Sequence, residues 1–452
     1  MLRPEARPRS SHPIIYLACV ARLGSLVRSV AVDTSALRES RDYRVLVLGG
    51  FVSGLGSQVT LVALPFQVYL LTHSSFMVGL IGLVELGPLI AFGLIGGALA
   101  DRVDRRRLLL LSQVGMLITS AGLALGAAHG SPPLALVFAL AGLAAGGSAI
   151  DRPTRAAIVP NLVGHARLRS AISFNYGLIQ LTLVIGPAVG GIVIAAVGLT
   201  WAYTLDVITF LAMIVSVLLI SPQPPPEVAE GGHEPFLRSV TSGLRFAAER
   251  GELMGSFVID ILAMTFGMPR ALFPALSLTL YHAGATGVGL LYAALSAGAV
   301  VAAFTTGWLT RARRLGRITV FAVLLWGIGI AVMGLTSSLV VAMACLCAAG
   351  AADSVSAVCR STILQTATPD RMRGRMSSVF TLVVAGGPRV GDVESGSVAA
   401  AVGTQASVVF GGLACIAGLL PVVWAFPAFW NYDEGDAAAL AAASPQLVED
   451  TG

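Results

Sequence analysis

The strongest constraint on this chain is that its arginines are confined to every second connection between long apolar runs. At ~1.5 Å per helical residue, about 20 apolar residues cross the ~30 Å hydrocarbon core of a bilayer. Such runs occur at residues 45–71, 78–100, 108–128, 134–154, 172–197 and 201–220, and again at 253–281, 287–310, 318–335, 339–359, 376–402 and 406–426. Arg38, Arg41 and Arg44 precede the first run, and arginines recur in the connections 102–107, 152–169, 238–250, 311–317 and 360–375. The intervening connections, 72–77, 129–133, 198–200, 282–286, 336–338 and 403–405, contain none. Basic residues near helix ends stay on the cytosolic side of a membrane. The alternation therefore predicts an all-α membrane protein with twelve transmembrane helices and both termini cytosolic, a multi-pass protein of the plasma (inner) membrane.

Composition excludes most other classes. Charged residues make up 12% of the chain, about half the share of a soluble domain. The net charge of +5 lies in short loops and forms no continuous stripe, so no nucleic-acid partner is expected. The five cysteines show no metal-ligand spacing, and there is no HExxH, no Walker loop and no converging nucleophile and base. No metal, cofactor or enzymatic site is expected, and the partner that composition implies is the lipid bilayer.

The polar stretch SPQPPPEVAEGGHEP at 221–235 divides the chain. Its Pro and Gly content suits a linker. The following FLRSVTSGLRFAAER places Phe236, Val240, Leu244 and Ala247 at helical spacing, which predicts an amphipathic helix on the cytosolic surface. The expected organisation is a cytosolic extension at 1–44, a six-helix half at 45–220, a linker with its helix at 221–252, a second six-helix half at 253–426 and an acidic, disordered tail at 427–452. Within the extension, IIYLACVA faintly imitates a signal peptide, but it is short and followed by further arginines. A shift of 210 residues aligns Val78-Gly79-Leu80 with Val288-Gly289-Leu290, Gly97 with Gly307, Leu99 with Leu309 and Arg107 with Arg317. Two related halves explain these matches, an arrangement common in secondary transporters.

One loop concentrates charge between apolar runs: residues 96–110 read GGALADRVDRRRLLL. The pattern Gly97, Leu99, Ala100, Asp101, Arg102, Arg105, Arg106 resembles the signature loop of the major facilitator superfamily. Asp104 stands where that signature has glycine. From about residue 33 to 426 the chain is similar to the enterobactin exporter branch, through THSSFMVGL, GGALADR, LFPAL, GLLYAA and LQTATPDRMRGR, and an acidic residue at the position of Asp104 also occurs there. The resemblance implies the major facilitator fold in two pseudo-symmetric halves, and a cytosolic latch in which Asp101 and Arg105 hold the halves together in the outward-facing state. For the second-half counterpart, GWLTRARRLGR, a merely topogenic arginine cluster remains an equal alternative.

The fifth run, GLIQLTLVIGPAVGG, sets Gly177, Gly186, Pro187, Gly190 and Gly191 in a pattern that resembles the antiporter motif of proton-driven exporters. Ordinary close packing of small residues in lipid is the competing reading. Ionisable residues inside runs are costly and mark functional positions: Glu85, Asp206, Asp260, Arg270, Asp353, Arg389, Asp392 and Glu394. Asp260 and Arg270, ten residues apart or roughly 15 Å along a helix, are too distant to pair. Arg389 and Asp392, three apart, can pair locally. In the implied fold the second and eleventh helices face each other, which predicts a Glu85–Arg389 contact in one conformational state. Either Asp260 or Glu85 is the expected proton-coupling acid; for Asp206 and Asp353 a packing role is as good a reading. The arginine motif of the fourth helix in many proton antiporters is missing, with Asp151-Arg152-Pro153 and Arg155 at that helix's cytosolic end instead. Together these features predict a proton-coupled exporter of a siderophore or an amphipathic drug-like molecule by alternating access. An importer of a small metabolite is the alternative, and a non-transporting scaffold a more distant one.

Overall fold

The computed structural model describes residues 35–100, 102–224, 236–433 and 435. Among them every regular element is a helix. The first long helix, α1 (Arg41–Thr72), starts where Ser40 Oγ accepts the Tyr43 N–H at 3.1 Å and ends at His73 in the left-handed region. It is followed by α2 (Ser75–Ala100), α3 (Arg105–Ala128), α4 (Leu134–Val163) and the much longer α5 (Leu168–Leu219). A continuous 52-residue helix would be roughly 78 Å long, more than twice the hydrocarbon thickness. The chain solves this by reversing at Gly198, whose φ of 86° is open to glycine and strained for other residues. Both limbs of α5 then lie along α1: Ser216 and Thr209 of one limb press on Gly49 and Gly56, and Gly186 and Gly190 of the other press on Gln58 and Val59.

The linker helix α6 (Phe236–Ala248) is amphipathic, as its spacing predicts. Its buried stripe is Val240, Gly243 and Ala247, while Leu244 faces outward. Gly243 lets it lie directly on the next half's Arg375–Val379 segment, since a methyl at this glycine would come within 2.9 Å of the Arg375 carbonyl.

The second half comprises α7 (Gly251–Phe266), α8 (Phe273–Thr279), α9 (Gly284–Thr305), α10 (Leu315–Leu335), α11 (Leu339–Thr366), α12 (Asp370–Val402) and α13 (Thr404–Ala425). The single apolar run 253–281 is in fact broken: Gly267 and Pro269 interrupt it, and a 3-10 turn (Arg270–Leu272) joins α7 to α8. Trp326, buried on α10, fills the space that a side chain at Gly267 would need. Among the described residues, ten helical segments are long and apolar enough to cross a membrane. The bent α5 counts once among them, and α12, 33 residues long but carrying Arg389, Asp392 and Glu394, does not qualify.

Contacts between the halves run along α2 with α12 and α5 with α9. They are made by glycines near the arginine-free ends of these helices. The backbone of α2 at Gly79 passes against Asp392–Val393, and Gly396 of α12 against Ser75–Phe76. A methyl at Gly191 of α5 would stand 3.0 Å from Gly289 Cα of α9. Small residues at these crossings let helix backbones approach within the apolar phase, where van der Waals packing drives association.

Candidate functional site

Two ion pairs lie at this inter-half seam. Glu85 of α2 meets Arg389 of α12, with Oε2 3.6 Å from Nη2, so the contact expected from the sequence is present. Arg389 also donates from Nη1 to the Ala385 carbonyl at 2.7 Å. The local Arg389–Asp392 pairing is not what forms. Asp392 instead meets Arg270, at 3.4 Å, because the break after α7 turns Arg270 towards α12. Glu394 joins none of the ion pairs among the described residues. Arg270 Nε, Arg389 Nε and Asp392 Oδ1 are buried and have no hydrogen-bond partner, so the seam is incompletely satisfied. Such a cluster holds in one arrangement of the halves and can be dismantled without breaking a fully bonded core.

A second cluster lies inside the second half. Asp260 of α7 has its carboxylate 2.5 Å from Arg360 Nη1 of α11, and Arg360 Nη2 is 3.7 Å from Asp353 on its own helix. Arg360 Nε donates to Ser356 Oγ at 3.1 Å. Asp260 and Arg360 are buried, whereas the Asp353 side chain is 37% exposed. Sequence spacing assigned Arg360 to the connection after the tenth run. The helix continues to Thr366, so this arginine lies within it and neutralises Asp260.

The first half contains the matching polar core. Asp151 of α4 pairs with Arg155 at 2.7 Å and accepts from Gln113 Nε2 of α3 at 2.6 Å. These residues, with Arg152, Gln58, Phe51 and Asn175, line a cavity of about 420 Å³ between α1, α3, α4 and α5, within the ~300–1,000 Å³ range of small-molecule sites. Asp206 is held by hydroxyls, as a packing carboxylate would be. It accepts from Thr60 and Ser120 hydroxyls, both at 2.7 Å, with no cation beside it.

Among the described residues of the charged loop, Asp104, Arg105 and Arg106 bond within their own half. Asp104 caps α3, accepting from the Arg106 and Arg107 N–H groups. Arg105 donates to the Ala157 carbonyl of α4 at 3.1 Å, and Arg106 donates to the Val217 and Leu218 carbonyls that end α5. A guanidinium on those open carbonyls also complements the negative end of the helix dipole. Gly97 lies in the last turn of α2, Arg102 is exposed in the turn after it, and Asp101 lies outside the described residues. In the glycine motif, Gly186 and Gly190 seat α5 on α1, Gly191 seats it on α9, Pro187 is buried, and Gly177 faces open space.

Residues 34–451 match the model of the family described as transmembrane secretion effectors. The chain belongs to this family of the major facilitator superfamily. It is 30% identical to an enterobactin exporter of Citrobacter koseri over 87% of this chain and 94% of that protein. An enterobactin exporter of Escherichia coli O139:H28 is 29% identical, with coverages of 85% and 92%. Among solved structures, a nucleoside transporter superposes with a TM-score of 0.69 at 12% identity, covering 85% of this chain and all of that one. A POT family transporter bound to 5-aminolevulinic acid gives 0.68 at 14% identity, with coverages of 86% and 97%. These likenesses carry the fold. The chain is thus a multi-pass transporter of the inner membrane that moves small molecules, and the expectation of a transporter in place of an enzyme holds.

For this member of the superfamily, sequence reasoning missed Arg360 and Gln113. The signal for Arg360 was present: it stands 21 residues beyond the start of α11 at Leu339, just as Arg155 stands 21 beyond the start of α4 at Leu134. Gln113 left no comparable trace, since a lone amide in an apolar run gives no indication of its partner.

Proposed function

We propose that this chain is a proton-coupled exporter of a siderophore or a similar amphipathic small molecule, acting as a monomer by alternating access. The observation that carries this reading is the Glu85–Arg389 pair between the halves, with the second half's own Arg270–Asp392 pair beside it, at one end of the molecule. Counting α5 as two crossings and α12 as one brings the ten apolar segments to twelve crossings. With the arginine-rich ends cytosolic, the seam closes the outer side and the cavity in the first half faces inward. The chain then stands ready to load cargo from the cytosol.

The coupling follows from charge. The Glu85–Arg389 attraction requires an ionised Glu85, so holding a proton there and closing the outer side oppose each other. Glu85 takes a proton from outside when the seam is open and surrenders it inward when the seam re-forms. Protons thereby move inward as cargo moves outward. Asp260 is the poorer coupling acid, because its arginine lies in the same half and their pairing does not report on the seam. The similar proteins from Citrobacter and Escherichia are enterobactin exporters, which supports export of a siderophore.

The test is transport into inverted membrane vesicles under an imposed proton gradient, with enterobactin and a cationic fluorescent dye compared side by side. Protonophore-sensitive uptake of the siderophore, absent with Glu85→Gln, is the expected result. Uptake of neither under any gradient would remove the exporter reading.

A further inference from the structure

The two halves repeat the same arrangement with one decisive difference. Asp260 is nine residues into α7, counted from Gly251, and Gly50 is nine residues into α1, counted from Arg41. Arg360 and Arg155 likewise share a register on α11 and α4. The equivalence is spatial as well. Arg360 places its guanidinium against Asp260, and Arg155 places its guanidinium directly over Gly50, where a Cβ would overlap Arg155 Nη1. The second half therefore supplies its arginine with two carboxylates, Asp260 and Asp353. The first half has one carboxylate, Asp151, for two arginines, Arg152 and Arg155, and a glycine where the second carboxylate would stand.

The missing carboxylate leaves unused bonding capacity in a cavity. Arg155 spends Nη2 on Asp151, while its Nε is buried without a partner, as is Gln113 Oε1 beside it. Apolar and aromatic groups, including Phe51, Leu178 and Phe210, line the same cavity. An arginine with a free edge, in a site with more cations than anions, is built for a planar oxyanion. We propose that Arg155, half-buried over Gly50 in the cavity wall, is the anion-binding subsite of the cargo. The ligand class is an aromatic acid, its anionic oxygens on Arg155 and its ring among the apolar residues. Gly50 is the specificity determinant, because an aspartate there would rebuild the internal pair of the second half and occupy the subsite. The cargo charge is thus read by the first half, while Arg360 is neutralised within the second. This inference rests on the transporter reading above and adds the chemistry of the ligand.

The experiment is equilibrium binding of salicylate and of its uncharged analogue salicylamide to the full chain in lipid nanodiscs, by calorimetry at neutral pH. The wild type is expected to bind the acid at least about tenfold tighter, roughly 1.4 kcal/mol. In Gly50→Asp and in Arg155→Gln the acid-to-amide ratio falls to near one, with cooperative melting confirming that each variant is folded. Arg155→Gln leaves Asp151 its bond from Gln113; should this variant lose its melting transition, Gly50→Asp alone decides, since there only the end of a flexible side chain must move. Equal binding of the two probes by the wild type, binding of neither, or a preference retained in a folded variant would overturn the proposal. The two readings fail separately. An acid preference without gradient-driven movement of any cargo would sink the exporter and leave the subsite, and driven siderophore transport without an acid preference would do the reverse.

Discussion

A buried arginine and a buried aspartate stabilise one another only as a pair. Removing one partner leaves an uncompensated charge, at a cost of about 3–5 kcal/mol. Asp260 is 3% exposed and its partner Arg360 is 4% exposed, so Arg360→Gln should destabilise the second half by about that amount. The double substitution Arg360→Gln with Asp260→Asn should recover much of the loss. Thermal unfolding of purified protein in detergent measures both, and an Arg360→Gln protein melting like the wild type would refute the pairing. Asp206 should behave differently. Its partners are the hydroxyls of Thr60 and Ser120, and an amide can also accept from them through its oxygen. Asp206→Asn is thus expected to cost less than Arg360→Gln by the same measurement. The sequence told little of this difference. Each residue was legible as an ionisable group in an apolar run, but the partner comes from another helix in each case, and spacing along one helix carries no information about that.

At the scale of the helix, the glycines of the first α5 limb divide into those that touch a neighbour and one that does not. Gly191 meets α9 so closely that a methyl would be 2.7 Å from the Ala285 carbonyl, while nothing lies within 4 Å of a methyl at Gly177. Gly191→Leu should therefore force the halves apart at this crossing and abolish transport in the vesicle assay. Gly177→Ala should retain transport and change stability by no more than about 0.5 kcal/mol, or gain slightly from helix propensity. If both variants transport equally, the α5–α9 contact has no part in the cycle. The run-by-run reading located nearly every helix, because the apolar periods and the arginine-free connections act over whole elements. It failed at the element where local chemistry overrides hydropathy. The run 253–281 keeps a high mean hydropathy across its break, so Gly267, Pro269 and Arg270 are absorbed into it, and the packing of Trp326 against Gly267 shows why the helix ends at Phe266. Likewise the 198–200 connection was placed correctly, but its tightness depends on the positive φ of a single glycine.

For the whole molecule, the question is whether the seam charges hold the halves together or merely coexist there. Glu85 and Arg389 sit on helices of different halves, and their side chains are only about a quarter exposed, at 27% and 21%. Partial burial strengthens the attraction relative to a surface pair, and it equally strengthens the repulsion that a single charge reversal creates. Arg389→Glu should place two carboxylates against each other. The outer side should then open, seen as faster labelling by a membrane-impermeant thiol reagent of a single cysteine introduced, in a cysteine-free chain, at Ser75, which is buried in the seam. Glu85→Arg should do the same by opposing two guanidinium groups. Combining the two restores an opposed pair with its polarity inverted. If the seam acts through direct charge pairing, the double reversal slows labelling back towards the wild-type rate, with a coupling energy of about 0.5–3 kcal/mol. Transport is expected to return less fully than closure, because the carboxylate we propose to carry the proton would then stand on α12 beside Asp392 in place of α2. Labelling rates in the double reversal that simply add the two single effects would show that the glycine crossings alone hold the outer side shut, and that the charges serve only the proton.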